Sequence, residues 1–177
     1  RRAVPQVEQS QLGLASELYP GVECWLNVHG CPKGACGTSG MKEAVNGGIN
    51  LGVLDGWWEE AWDGENGWAI TPHPDLDAAT RDQDESAELL NILEQEVVPL
   101  YFSRNGDGER EAWIEKSKAS MRSVLPHFNG MRMAADYLRD FYGPAARQGK
   151  LLADNGAVCA TQLARWRSKV ENAWPMV

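Results

Sequence analysis

The chain holds 177 residues, with 17 Lys and Arg against 25 Asp and Glu and a formal net charge of −8 at pH 7. That length suits one domain with its own core, and 43% hydrophobic with 24% charged residues argues against wholesale disorder. The acidic balance counts against nucleic-acid and anionic-membrane binding, which need a basic footprint; no apolar run approaches the ~20 residues of a spanning helix.

The chain opens at Arg1-Arg2 and runs on through polar residues, without the apolar core of a signal peptide. A soluble, cytoplasmic protein is expected. With no initiator Met, a fragment and a processed product both fit. Gln9 to Tyr19 predicts a short helix, broken by Pro20-Gly21. Val22–Leu26 is a short apolar run, consistent with a buried strand. A glycine-bearing loop over 30–40 leads into a predicted helix from Thr38 to Asn46, which Asn46-Gly47-Gly48 ends with a left-handed cap. Ile49–Leu54 predicts a second strand, closed by Asp55-Gly56. Strand, loop, helix and strand at this spacing form a βαβ unit, hence a parallel sheet.

The texture changes near Thr71-Pro72-His73-Pro74. Residues 1–72 are assigned to the βαβ portion and 73–177 to a helical section. Leu89, Leu90, Ile92, Leu93, Val97 and Leu100 have amphipathic helical spacing, with Pro99 ending or kinking the helix. Trp113, Ile114, Met121 and Val124 predict another. Asn129-Gly130 caps a third, running through Leu138 and Phe141 to Gly143. Val158, Leu163, Trp166, Val170 and Trp174 predict a last one. The acidic run from Asp75 to Glu96 reads as a helix entry plus a wet face.

The stretch that could carry chemistry is Gly34-Ala35-Cys36-Gly37-Thr38-Ser39-Gly40-Met41-Lys42. Glycines let backbone amides approach a ligand, and the free N–H groups of a helix start attract phosphate. Thr38 and Ser39 add hydroxyls. Lys42 brings an amine able to pair with an anion or to condense with an aldehyde. A purely structural turn is the alternative: such glycines also pack a helix close to a sheet, with Thr38 as an N-cap. The order of residues is neither the G-x-x-x-x-G-K-[ST] loop nor G-x-G-x-x-G.

Gly37-Thr38-Ser39-Gly40-Met41-Lys42, Asn46-Gly47, Asn50-Leu51, Val53-Leu54-Asp55-Gly56-Trp57-Trp58-Glu59-Glu60 and Asp63-Gly64-Glu65-Asn66-Gly67-Trp68-Ala69-Ile70 closely resemble the carboxy-terminal region of bacterial-type α-glucan (glycogen/maltodextrin) phosphorylases. Ala164-Arg165-Trp166 and Ala173-Trp174-Pro175 resemble the end of the same proteins. The resemblance implies a partial Rossmann-like carboxy-terminal domain of a glycosyltransferase-B fold, α/β in class, followed by a helical section. It implies pyridoxal 5′-phosphate held as a Schiff base on Lys42, which is thereby the catalytic position. Gly37, Thr38, Ser39 and Gly40 would line the cofactor phosphate; Ala35, Cys36 and Gly37 would face the glucosyl unit. The implied reaction uses inorganic phosphate to release glucose 1-phosphate from α-1,4-glucan ends, with the cofactor phosphate relaying a proton. The family is often dimeric, which makes a homodimer of the full-length protein an expectation.

Two departures stand out. Gly34 occupies the position of a family Glu that contacts sugar hydroxyls, a loss worth about 1–3 kcal/mol for a charged hydrogen bond. The preceding Asn-Pro-Arg-Arg-Pro-like loop is replaced by Asn27-Val28-His29-Gly30-Cys31-Pro32-Lys33. The family enzymes are several times longer, so the chain by itself is expected to be inactive or nearly so. The rival readings are a non-catalytic truncated paralogue acting as a binding module and a glycogen-synthase-like glycosyltransferase. An amine at position 42 that faced bulk water with no concavity beside it would count against the cofactor reading.

Four cysteines fall at 24, 31, 36 and 159. With His29, Cys31 and Cys36 supply two thiols and an imidazole, short of a tetrahedral set, so no metal is expected and the thiols read as reduced. Trp57 and Trp58 read as structural, Glu59 and Glu60 as a solvated pair, and His127 as a helix-end hydrogen-bond donor. None of the three histidines has an orienting carboxylate at an interpretable sequence spacing.

Overall fold

The computed structural model describes residues 12–29 and 37–174. These fall into two compact units, one ending at Phe128 and the other starting at Asn129.

The first unit is built on three parallel strands in the order β1-β2-β3, namely Cys24–Asn27, Ile49–Val53 and Gly67–Ile70. The registers Leu26↔Leu51 and Leu51↔Trp68 run through the middle. The predicted βαβ unit is present, since helix α2 (Thr38–Ala44) connects the parallel β1 and β2. The third strand was not foreseen, although Trp68-Ala69-Ile70 is a short apolar run. Helix α1 (Leu12–Leu18) leads through the 3₁₀ turn Tyr19–Gly21 into β1, and α3 (Trp57–Ala61) lies between β2 and β3.

Every residue of β2 is buried. Its alternation sends Ile49, Leu51 and Val53 into a core with Trp68, Ile70, Ile92, Val97 and Trp113. A second cluster joins Ala44, Trp57, Trp58, Ala61 and Val124, with Met41, Leu54 and Phe128 packed against it. Helix α6 (Glu111–His127) contributes to both clusters through Trp113 and Val124. The structural reading of Trp57 and Trp58 thus holds, while Glu59 and Glu60 are exposed. The Asp63–Gly67 motif is also structural. Asp63 Oδ1 accepts from the Glu65 and Asn66 amides, and buried Asn66 donates to the Ala61 carbonyl at 2.7 Å and to Ser123 Oγ at 2.8 Å.

Helix α4 (Ala78–Ile92) starts as the acidic run implied. The Asp77 carboxylate accepts the Ala79 and Thr80 amides, and its hydrogen bonds from Thr80 hold its carboxyl below the ordinary range. Replacing Asp77 by Ala is expected to fray this turn, seen as faster hydrogen exchange at Ala79 and Thr80 with β2 unaffected.

Pro99 neither ends nor sharply breaks this helix. A π-helical turn over Leu93–Val97 carries the chain into α5 (Val98–Phe102). The same device recurs in the second unit, where a π-helical turn over Leu138–Tyr142 joins α7 (Gly130–Tyr137) to α8 (Gly143–Ala173), with Pro144 in its first turn. A proline cannot donate to the carbonyl four residues back and crowds it, and widening the preceding turn relieves both problems. The helix expected to stop at Gly143 therefore continues. The break comes at Asp154–Ala157, where Asn155, Gly156 and Ala157 have φ of 50°, 67° and 63°. Asn129 does cap α7, accepting the Arg132 amide at 2.9 Å.

Candidate functional site

Of the nine-residue stretch singled out by the sequence, Gly34, Ala35 and Cys36 lie outside the described residues, as does Cys31. From Gly37 onward the stretch is the start of α2. Gly37 itself takes the N-cap position, with φ −72° and ψ 76° and no side-chain cap, so Thr38 is the first helical residue and not the cap.

The two described glycines at the helix start are accounted for by close packing. A Cβ on Gly37 would stand 2.7 Å from Asn27 Nδ2, and one on Gly40 would stand 2.7 Å from Trp57 Cζ2 and 2.9 Å from Asn50 Oδ1. The Gly40 amide donates to the Gly37 carbonyl at 3.1 Å. At the other end, Gly47 has φ +94°, its amide donates to Ala44 and the Gly48 amide donates to Glu43, both at 3.1 Å. This is the left-handed termination that Asn46-Gly47-Gly48 implied.

Helical periodicity divides α2 into two faces. Gly40, Glu43 and Ala44 are buried. Thr38 and Lys42 are exposed, and four residues apart they share the solvent face. Lys42 is not among the described residues that line the concavity at the carboxyl edge of the sheet. That concavity, about 280 Å³, lies between the ends of the three strands and α4, and its lining includes Val28, His29, Val53, Ile70, Asp82 and Glu85. This is the edge at which open α/β sheets take their ligands.

Two arrangements were invisible in the sequence. His29, for which the sequence offered no orienting carboxylate, lies with Nε2 3.3 Å from Asp55 Oδ2. The spacing is that of an ion pair, but the atoms are not aligned for a hydrogen bond. Parallel pairing brings them together, since each follows the end of a neighbouring strand. The second is Glu43, fully buried with neither carboxylate oxygen hydrogen-bonded. Burial pushes its carboxyl up to about 8. Its place beside Ala44 and three residues after Gly40, on the face that packs inward, was the available signal. Among the described residues no group of His, Cys, Asp and Glu side chains is placed to hold a metal ion, and no helix is long and apolar enough to cross a membrane.

Comparison with known proteins gives a consistent result. The chain is 38% identical, over its whole length, to a glycogen phosphorylase of Mycobacterium tuberculosis. It is 37% identical over 96% of its length to a maltodextrin phosphorylase of Thermococcus litoralis, and 40% identical over 76% to a glycogen phosphorylase of Aquifex aeolicus. The chain is homologous to part of these phosphorylases. It spans about a fifth of the length of the relatives it matches, from 19% to 21% in these three. No protein-family model matches it, and no solved structure does. The resemblance to phosphorylases therefore holds, with a small parallel sheet and many helices as the architecture.

Proposed function

We propose that the chain is the carboxy-terminal, cofactor-anchoring part of an α-1,4-glucan phosphorylase, acting in the cytoplasm on glucan ends and inorganic phosphate to give glucose 1-phosphate. The observation that carries this reading is the homology over the whole chain to glycogen phosphorylase, joined to the Gly37–Lys42 motif. In this reading the β1-α2-β2 unit is one portion of a Rossmann-like domain within a glycosyltransferase-B fold, in a full-length protein that pairs as a homodimer.

Pyridoxal 5′-phosphate is the cofactor proposed, and the exposed face of α2 fits it. Thr38 and Lys42 stand on one face, so a hydroxyl donor and a free amine are presented together, as an aldehyde-bearing phosphate ester requires. Lys42 would hold the aldehyde carbon. Gly37, Thr38 and Ser39 would hold the phosphate at the helix start, with Gly40 allowing the close seat of α2 on Asn50 and Trp57. Ala35, Cys36 and the Gly37 backbone would face the glucosyl unit. When bound, the cofactor's phosphate would exchange a proton with the substrate phosphate.

The test is covalent capture. After incubation with pyridoxal 5′-phosphate and reduction with borohydride, one stoichiometric adduct is expected, on Lys42 by mass spectrometry. Lys42→Arg, which keeps the charge but cannot attach the aldehyde, is expected to lose that label at least about tenfold. Labelling spread over other lysines would refute the anchor. No phosphorolysis above background is expected from the chain assayed by itself.

One further reading has an observation in its favour. A non-catalytic paralogue, keeping the fold as a binding module, agrees with Gly34 in place of Glu. Like a synthase-type glycosyltransferase, it has no need of a cofactor lysine, so absence of the Lys42 adduct would favour these two over the phosphorylase.

A further inference from the structure

The packed side of α2 holds an acid where an apolar residue is expected. Glu43 has no accessible surface, its carboxylate oxygens enter no hydrogen bond, and its side chain occupies the space over Gly48: a Cβ built on that glycine would lie 1.1 Å from Glu43 Oε1 and 1.9 Å from Cδ. The carboxyl group thus sits in a cradle that only glycine leaves open, between the helix and the start of β2. No cation reaches it among the described residues. β1 faces it with the Cys24 thiol, itself pushed up to about 12 by burial first and by the Glu43 carboxyl second. β2 sets Asn50 against Gly40 of the same helix. From α6 come Ser117 and Ser120, whose hydroxyls donate to the Gly47 and Gly48 carbonyls and so hold the other wall of the cradle.

A carboxyl group in such surroundings is tolerated in its neutral form; as an anion it would have neither water nor a counter-charge. We propose that Glu43 is a positioning residue for Lys42: as the neutral acid it wedges α2 onto Gly48, and its ionisation lifts the helix and displaces the adjacent amine from its place. This rests on the reading of Lys42 as the cofactor anchor, but the wedge itself does not. Burial raises the Glu43 carboxyl to about 8 against an ordinary value of 4.5. Its folded-state contribution is therefore fully present below the ordinary value and is lost as pH rises through about 8.

The experiment compares the chain with Glu43→Gln, neutral at every pH, and with Glu43→Met as a second neutral variant should Gln prevent folding. Thermal midpoint and borohydride-trapped Lys42 adduct are each followed from pH 6 to 10. The ratio of adduct yields, parent to variant, isolates Glu43. The expected result is a midpoint that, relative to the variant, falls from pH 6 to about 8 and levels off above it, with a several-fold drop in the parent's adduct ratio to the variant centred on about 8. Parallel melting profiles would overturn the wedge. Diverging midpoints with a flat adduct ratio would overturn the positioning role, leaving Glu43 structural. Absence of any Lys42 adduct in all three proteins would sink the cofactor reading and the positioning role with it, while the melting profiles would still decide the wedge.

Discussion

Replacing Trp58 by alanine is expected to destabilise the first unit by about 3–5 kcal/mol, the range for emptying a buried indole site. Trp58 is 1% exposed and lies in the cluster with Ala44, Trp57, Ala61 and Val124. Its ring centroid is 5.2 Å from that of Trp57, which in turn meets Phe128 edge-on at 5.5 Å. Its Nε1 donates to the Trp68 carbonyl at 3.2 Å, fastening α3 to β3. Truncation removes the packing and leaves that carbonyl without its buried donor. Since an ordinary domain is stable by only about 5–15 kcal/mol, the variant is expected to unfold at much lower urea. A midpoint within error of the parent would show that the indole is not part of the core.

The second large effect is expected from Gly67→Ala. A Cβ there would stand 2.4 Å from the Asn50 carbonyl oxygen and 2.8 Å from Cη2 and Cζ2 of Trp58. Asn50 is the register partner of Gly67, so the backbone oxygen cannot retreat without opening the β2–β3 pairing. Overpacking of this kind typically costs about 1–3 kcal/mol, and more where backbone must move; this site belongs at the upper end. Gly106→Ala, with open space around the new Cβ, is the control and is expected to change little. Combining Gly67→Ala with Trp58→Ala removes only the ring half of the clash. The double variant should therefore be less destabilised than the sum of the single ones, yet not relieved. Strict additivity, measured by denaturant titration, would contradict the geometry.

The structural work of the residues that carry the resemblance was not legible beforehand. Gly37, Gly40, Asp63, Asn66 and Gly67 were visible as a motif, but their spacing did not say that they close helix onto sheet and strand onto helix. Gly40 shows why. The same absence of a Cβ that lets an amide approach a phosphate lets α2 approach Asn50 and Trp57, and only the neighbours distinguish the two. Helix α2 and strand β2 were predicted close to their observed bounds because a glycine cap and the alternating apolar residues Ile49, Leu51 and Val53 are local signals. Strand β3 was missed because four residues are too few to show a period, and the two π-helical turns because proline rules foresee a break and not a widened turn.

What the sequence determined by itself was the phosphorylase resemblance, the parallel βαβ unit, the left-handed end of α2 and the Asn129 cap of α7. Each is written in residues adjacent along the chain. The pairing of His29 with Asp55, the burial of Glu43 over Gly48 and the place of the carboxyl-edge cavity were decided only by tertiary structure. Pairing brings positions 26 residues apart to neighbouring strand ends, and whether a carboxylate meets water or a glycine depends on what lies across from it.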